Sequence, residues 1–311
     1  ADETRRTYSV VSPPGESPLR IVARVHAAGQ MSRYFAEQLR EGDELEVLPP
    51  NGSFTPRHVA HGKGRYVAFA SGCGITPVLA IARSLLSGDK NSRVVLFYGN
   101  ATTERAMCME ELLGLKDRYL ERLSLHFVMS REPQEVELYN GRLDPGKVRE
   151  FARTLFSPAD VTEYFVCGPG NMIDEVSAAL RQLGVTADRI HGEHFTVATT
   201  IPAPGPAGAQ EEVRASPGEA EVTVVMDGRR RTFTMRMNDE VVLDAAMRAG
   251  LELPFSCRAG VCSTCRTKVV RGAVEMAQNY ALEDWEVEQG YILACQSCVK
   301  TPVLELDYDE K

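Results

Sequence analysis

The sequence predicts a multidomain chain: a small partial β-barrel, then an α/β domain with a parallel sheet, then an α+β domain. Three observations predict it. Strand and helix signals alternate from residue 65 onward, a pattern that builds a parallel sheet with helices on both faces. The composition then shifts to Ala, Pro, Gly and Thr between 196 and 221, around Ile201-Pro202-Ala203-Pro204-Gly205-Pro206, from which no core can form. Beyond it, Cys257, Cys262 and Cys265 are spaced C-x4-C-x2-C, and Cys295 follows at a distance. The expected boundaries are 1–61, 62–198, a linker over 199–220, and 221–311.

The N-terminal part reads as short strands at 5–12, 19–25 and 44–48, punctuated by Pro13-Pro14-Gly15, Gly42-Asp43 and Pro49-Pro50-Asn51-Gly52. An amphipathic segment over 32–39 follows Gly29. Gly29 and Ser32 offer backbone N–H groups and a hydroxyl at a helix start, which serves either as a phosphate seat or as a plain cap. The α/β part has strands at 66–70, 94–98, 123–128 and 164–166, with helices near 77–86, 104–119, 145–155 and 171–183. Ligands of such sheets lie at the carboxyl ends of the strands, where both glycine turns fall. Gly72 and Gly74 let the backbone approach a pyrophosphate, Thr76 adds a hydroxyl before Pro77, and Cys167-Gly168-Pro169-Gly170 ends a second strand on that edge. The last part begins with a hairpin through Asp227-Gly228, a helix over 242–249, strands at 268–270 and 291–293, and an acidic turn at 283–288.

The four-cysteine pattern is the ligand spacing of a plant-type [2Fe-2S] cluster, with Cys257, Cys262, Cys265 and Cys295 as ligands. Small intervening residues let the loop wrap and turn backbone N–H groups, Gly260 among them, toward the sulfurs. A competing reading pairs Cys262-Ser-Thr-Cys265 with Cys295-Gln-Ser-Cys298 around a structural zinc. It leaves Cys257 unused, and its gap exceeds the roughly 15–20 residues usual for such knuckles. Cys298 is then a bystander.

With 311 residues, 43% hydrophobic and 25% charged, the chain can bury cores in two or three domains. A net charge of -8 argues against a nucleic-acid partner, and an acidic electron carrier instead seeks a basic docking surface. No signal peptide or membrane span is read, so the expectation is a cytoplasmic protein without a membrane partner. Eight cysteines in so long a chain, half of them claimed by one cluster, fit a reducing compartment.

Together these segments resemble the ferredoxin-NADP reductase family fused to a C-terminal plant-type ferredoxin of the β-grasp fold. Arg6-Thr7-Tyr8-Ser9 matches that family's Arg-x-Tyr-Ser flavin signature. The resemblance implies an NAD(P)H-dependent oxidoreductase that carries FAD and a [2Fe-2S] cluster. It further implies that Arg6 neutralises the flavin phosphate, Tyr8 packs on the isoalloxazine ring, Ser9 bonds near its N5, and Gly29 and Ser32 hold the pyrophosphate. Residues 72–77 match the nicotinamide-cofactor turn, Cys167-Gly168-Pro169 the motif beside the nicotinamide, and 190–195 the closing Glu-x-aromatic. Phe195 would cover the flavin, and Glu193 would belong to a proton relay. Ser9, Cys167 and Glu193 are thus the candidate catalytic residues.

Ser130-Arg131 resembles the pair that grips the 2′-phosphate of NADPH, and an arginine suits bidentate phosphate contact. NADPH is therefore favoured, with NADH possible. More narrowly, the stretches over 260–269, 276–283 and 165–175 and Gly290-Tyr291-Ile292-Leu293-Ala294-Cys295-Gln296 resemble phenylacetyl-CoA epoxidase reductase subunits. Reductases of steroid and aromatic-ring hydroxylases are the neighbouring group. The partners so implied are the oxygenase subunits of a multicomponent diiron monooxygenase. Two departures stand out. Only five residues precede Arg6 where the family has several strands, so the flavin barrel is expected to be incomplete, and Gly192 and His194 replace a bulkier residue and an arginine.

Overall fold

The computed structural model describes residues 5–26, 29–50, 52–57, 64–195 and 218–310, so nearly all of the expected linker lies outside the described residues. They fall into two compact units. One lies within 8–46 and 53–195; the other within 196–311, with short pieces from 1–7 and 47–52.

In the first unit, β1 (Arg65–Ser71), β2 (Arg93–Asn100), β3 (Leu123–Met129), β4 (Glu163–Gly168) and β5 (Ile190–His194) form a sheet in the order β3-β2-β1-β4-β5. All its pairings are parallel. Successive residues of β1 feed two different cores, because strand side chains alternate between faces. Tyr66, Ala68 and Ala70 pack with Ile75, Leu79 and Leu112 of α2 (Ile75–Gly88) and α3 (Met109–Arg118). Val67 and Phe69 pack with Val148, Phe151 and Val176 of α4 (Pro145–Thr154) and α5 (Gly170–Gln182). Asp144 and Pro145 set the start of α4, the carboxylate accepting from the Lys147 N–H at 2.8 Å. The chain leaves β1 for one side of the sheet and reaches β4 on the other. That reversal makes a crevice at their carboxyl ends.

Two expectations need correction here. The predicted helix over 104–119 forms only a 3-10 turn at Thr103–Arg105 and then α3, because Cys108 takes a left-handed φ of 55° that a right-handed helix cannot pass through. The strands expected at 5–12, 19–25 and 44–48 do not form ladders. Val10 and Ile21 make one antiparallel bridge, reinforced by Val11 N–H donating to the Arg20 carbonyl at 2.7 Å. A strand needs a neighbour for its backbone groups, and among the described residues these segments find none beyond that bridge. Leu19 and Val47 accordingly stay 69% and 78% exposed. The partial barrel thus consists of this bridge, extended chain, and α1 (Gln30–Glu37), which starts two residues earlier than its sequence suggested.

In the second unit, β6 (Glu219–Met226) and β7 (Arg229–Arg236) form the predicted hairpin. Asp227 and Gly228 have φ of 53° and 69°, the type I′ geometry, and Asp309 accepts from both their N–H groups. With β8 (Arg266–Arg271), β9 (Val274–Met276), β10 (Tyr291–Leu293), β11 (Ser297–Val299) and β12 (Val303–Asp307), two sheets arise, ordered β10-β8-β12-β6-β7 and β11-β9. Strand β12 runs parallel to β6, against the antiparallel hairpin. Helix α6 (Val242–Arg248) lays Leu243 and Ala246 on Val222, Val224, Leu304 and Leu306, closing an α+β core. Exposed Arg229, Arg230 and Arg231 guard the edge strand β7 against pairing with other chains. A short α7 (Asp284–Glu288) occupies the expected acidic turn.

Candidate functional site

At the carboxyl edge of the parallel sheet, Ser71 ends β1 and the chain makes a 3-10 turn, Gly72–Gly74, into α2. Gly72 has φ +54°, and a Cβ built there meets nothing within 4 Å, so the turn opens a cradle that a ligand can fill. Gly74 faces the opposite demand. A Cβ there would lie 2.1 Å from the Cys167 carbonyl oxygen. Replacing Gly74 with alanine should therefore cost about 2–3 kcal/mol and lower the thermal midpoint, because backbone has to shift. A calorimetric comparison of the two proteins checks it. The Thr76 hydroxyl donates to the Cys73 carbonyl at 2.9 Å, holding the turn, and Pro77 is buried in the first turn of α2.

On β4, Cys167 is fully buried and in register with Glu193 of β5. Burial pushes the Cys167 thiol well up, and the neighbouring Glu193 and Cys73 push it further. Burial raises Glu193 to about 7, and its Oε2 has no hydrogen-bond partner among the described residues. A carboxyl group poised near neutrality can hold or release a proton. Gly168 brings the strand end against Ser71 and Met172, and Pro169 precedes α5. Phe195, just past β5, packs on the core beneath α2. A Cβ at Gly192 would meet Ile173 at 3.1 Å, so the small residue suits its surroundings.

Two strands away, Ser130 and Arg131 follow β3, both exposed, with their N–H groups donating to the carbonyls of Asn100 and Ala101. Glu132 is committed to Thr103, accepting from its N–H at 2.7 Å and its hydroxyl at 2.6 Å. The Tyr98 hydroxyl donates to Gly72 at 3.1 Å and accepts from the Met107 N–H at 3.0 Å, tying the turn to the loop before α3. Burial lifts this phenol to about 12, although hydrogen bonds with the Asn100 side chain and the Met107 backbone oppose the shift. Sequence reading passed over Tyr98 and Asn100. The signal available was a tyrosine and an asparagine two residues apart at the end of an apolar strand.

Nearer the N-terminus, the Tyr8 ring lies 5.2 Å from that of Phe35, and Ser9 is half-buried. Exposed Arg6 donates to the Arg5 carbonyl. Gly29 is the N-cap of α1, and buried Ser32 spends its hydroxyl locally, accepting from the His26 N–H at 3.2 Å and facing the Gly29 carbonyl. An aromatic face and a hydroxyl suit a flavin, while the Ser32 hydroxyl ties the turn before α1 and no side chain caps the helix.

In the second unit, the Ala259 and Val261 N–H groups point at Cys257 Sγ, at 3.3 and 3.4 Å, and the Cys257 N–H points at Cys262 Sγ. Gly260 contributes the turn (φ +74°) rather than the donor expected of it; a Cβ there would meet the Gln278 carbonyl at 3.0 Å. Cys295 is subject to opposing influences: hydrogen bonding with Cys257 lowers its pKa, while Cys265 and burial raise it to about 11 overall. The four thiols thus gather in linked pairs, Cys257 with Cys262 and Cys295, and Cys295 with Cys265. That donor set, wrapped by N–H groups, fits a two-iron cluster. Cys298 is paired across β11 and β9 with Glu275, and the charged groups acting on it are Lys300, Glu275 and Asp239. The Tyr308 hydroxyl is buried with no partner among the described residues, close enough to Cys265 and Cys295 for their charges to raise its pKa further.

Residues 224–300 match the family described as "2Fe-2S iron-sulfur cluster binding domain", and residues 69–178 match "Oxidoreductase NAD-binding domain". The chain is 38% identical over 312 residues to a subunit of the 1,2-phenylacetyl-CoA epoxidase of Escherichia coli K12, covering 100% of this chain and 85% of that one. It belongs to the ferredoxin-NADP reductases fused to a [2Fe-2S] ferredoxin domain. The reductase is also 31% identical to the ferredoxin reductase component of a 3-ketosteroid-9-alpha-monooxygenase from Rhodococcus rhodochrous, covering 97% and 82%. In fold it matches phthalate dioxygenase reductase, with TM-score 0.54 at 23% identity over 98% of this chain and 84% of that one. It is an NAD(P)H-dependent oxidoreductase with a [2Fe-2S] domain, and the relatives named above are components of oxygenases. Among the described residues no helix is long and apolar enough to cross a membrane.

Proposed function

We propose that this reductase draws electrons from NADPH and supplies them to the diiron oxygenase of a phenylacetyl-CoA epoxidase, in the cytoplasm. The observation that carries the reading is the 38% identity to the Escherichia coli epoxidase component across the whole chain. When bound, FAD accepts hydride from the nicotinamide and the cluster passes on single electrons. Gly72 would leave room for the pyrophosphate, Gly74 would let the turn close against the end of β4, and Gly168 and Pro169 would shape the wall beside the nicotinamide. Cys167 would lie behind the nicotinamide ring, Glu193 would hold a proton one strand away, and Phe195 would shield the flavin until the nicotinamide arrives. Arg6, Tyr8, Ser9, Gly29 and Ser32 seat the flavin. Cys257, Cys262, Cys265 and Cys295 bind the irons, in a domain with boundaries at 221 and 311 joined by the 199–220 linker to the nucleotide domain over 62–198.

Exposed Arg131, with Ser130 at the end of β3, supports the choice of NADPH. A charge-assisted contact to the 2′-phosphate is worth about 1.5–3 kcal/mol, so Arg131→Ala should raise the KM for NADPH by roughly 10–100-fold. The KM for NADH should hardly move. Steady-state kinetics with both nucleotides checks this. Partner assignment is tested by mixing the reductase with phenylacetyl-CoA epoxidase oxygenase subunits or with a ketosteroid oxygenase component. NADPH-dependent epoxide from phenylacetyl-CoA is the expected product. Turnover only with the ketosteroid component would reassign the partner.

A further inference from the structure

Strand β12 ends beside the last residue of the cysteine loop. Asp307 pairs with Lys268 near the start of β8, and Leu293 at the end of β10 pairs with Arg266, the residue after Cys265. The Ala294 N–H donates to the Cys265 carbonyl at 3.1 Å, so Cys265 and Cys295 stand together at this end of the sheet. Tyr308 carries β12 one residue further, its N–H donating to the Val225 carbonyl at 2.9 Å. Side chains two apart on a strand share a face, so Tyr308 follows the buried Leu304 and Leu306 inward. Its ring packs on the core that contains Cys265 and Cys295.

The hydroxyl at the tip of that ring is buried and has no hydrogen-bond partner among the described residues. Burial, and then the charges of Cys265 and Cys295, hold its proton in place. The nearby Thr267 hydroxyl is already committed, donating to the Asp307 carbonyl at 2.9 Å. Buried donors are nearly always satisfied, and among apolar side chains and two thiols the missing acceptor is one that a bound cluster brings. The other donors at the sulfurs come from the loop and its flank, Ala259 and Val261 to Cys257 and the Gln296 amide to Cys295. We propose that the Tyr308 hydroxyl donates to a sulfur of the bound [2Fe-2S] cluster from the core side and so raises its reduction potential. Reduction adds negative charge to the cluster, and a hydrogen bond to its sulfur favours that charge. The proposal rests on the reading of the four cysteines as iron ligands.

The test compares wild-type and Tyr308→Phe holoenzymes, since phenylalanine keeps the ring and removes only the hydroxyl. Both should hold the same iron and show the same cluster bands. In a redox titration the variant's cluster should be about tenfold harder to reduce, a drop of about 59 mV for one electron, while the flavin potential stays put. Pulsed EPR of the reduced wild type should show a proton coupled to the cluster, replaced by deuterium when the cluster is assembled in D2O and missing from the variant. A hydroxyl that only packs, or that binds only a buried water, would leave the potential and the proton spectrum unchanged and overturn the proposal. A variant without cluster bands would also overturn it, because the hydroxyl would then be holding the fold. Wild-type holoenzyme without iron would instead overturn the reading of the four cysteines.

Discussion

Cys257→Ser should abolish the [2Fe-2S] absorbance and reduce NADPH-driven electron delivery to background, while NADPH still bleaches the flavin. Four thiolates share two irons, so losing one leaves an iron without a ligand of matching softness. Cys298→Ser should leave the cluster and electron delivery intact, because Cys298 faces Glu275 across β11 and β9 and is not one of the four ligands that the spacing assigns. The pair of variants separates two chemistries. A zinc site made from the two C-x-x-C knuckles would show no cluster bands in either variant, and zinc would be lost with Cys298 and kept without Cys257. Iron analysis and visible spectra of both variants decide it.

Glu193→Gln should stabilise the protein at neutral pH. Burial raises the Glu193 carboxyl to about 7, above an unfolded value of about 4.5. Between those values the folded chain holds a proton that the unfolded chain has released, so wild-type stability falls as pH rises through the window. This contribution is fully present below about pH 4.5 and lost by about pH 7. Glutamine stays neutral throughout, so the two proteins should match near pH 4 and differ by up to about 3 kcal/mol above pH 7. Denaturant midpoints measured for both proteins across that range check the sign. A variant less stable than wild type at pH 8 would mean that the carboxylate has a favourable partner. If Glu193 also relays a proton, the variant's reduction rate by NADPH should lose its pH dependence near 7.

Much of this was legible in the sequence because the signals were local. Apolar runs such as 66–70 and 94–98 can only be buried parallel strands, and β1 and β2 are buried along nearly all their length. The cysteine spacing placed the thiols before any geometry was known. Short elements were not legible: β9 and β11 have three residues each and form only through each other. Residues 19–25 misled because β-propensity reports a fit to a pleated surface, and among the described residues that surface amounts to one bridge. Gly260 misled differently, since its place in the loop is fixed by a backbone angle, and the thiol donors are its neighbours Ala259 and Val261.

The measurement that tests the electron relay most directly is the anaerobic visible spectrum of the holoenzyme, followed after NADPH and, in a second cuvette, after NADH. The expected result is bleaching of the flavin and then of the cluster bands, much faster with NADPH. Flavin that bleaches while the cluster stays oxidised would contradict the relay.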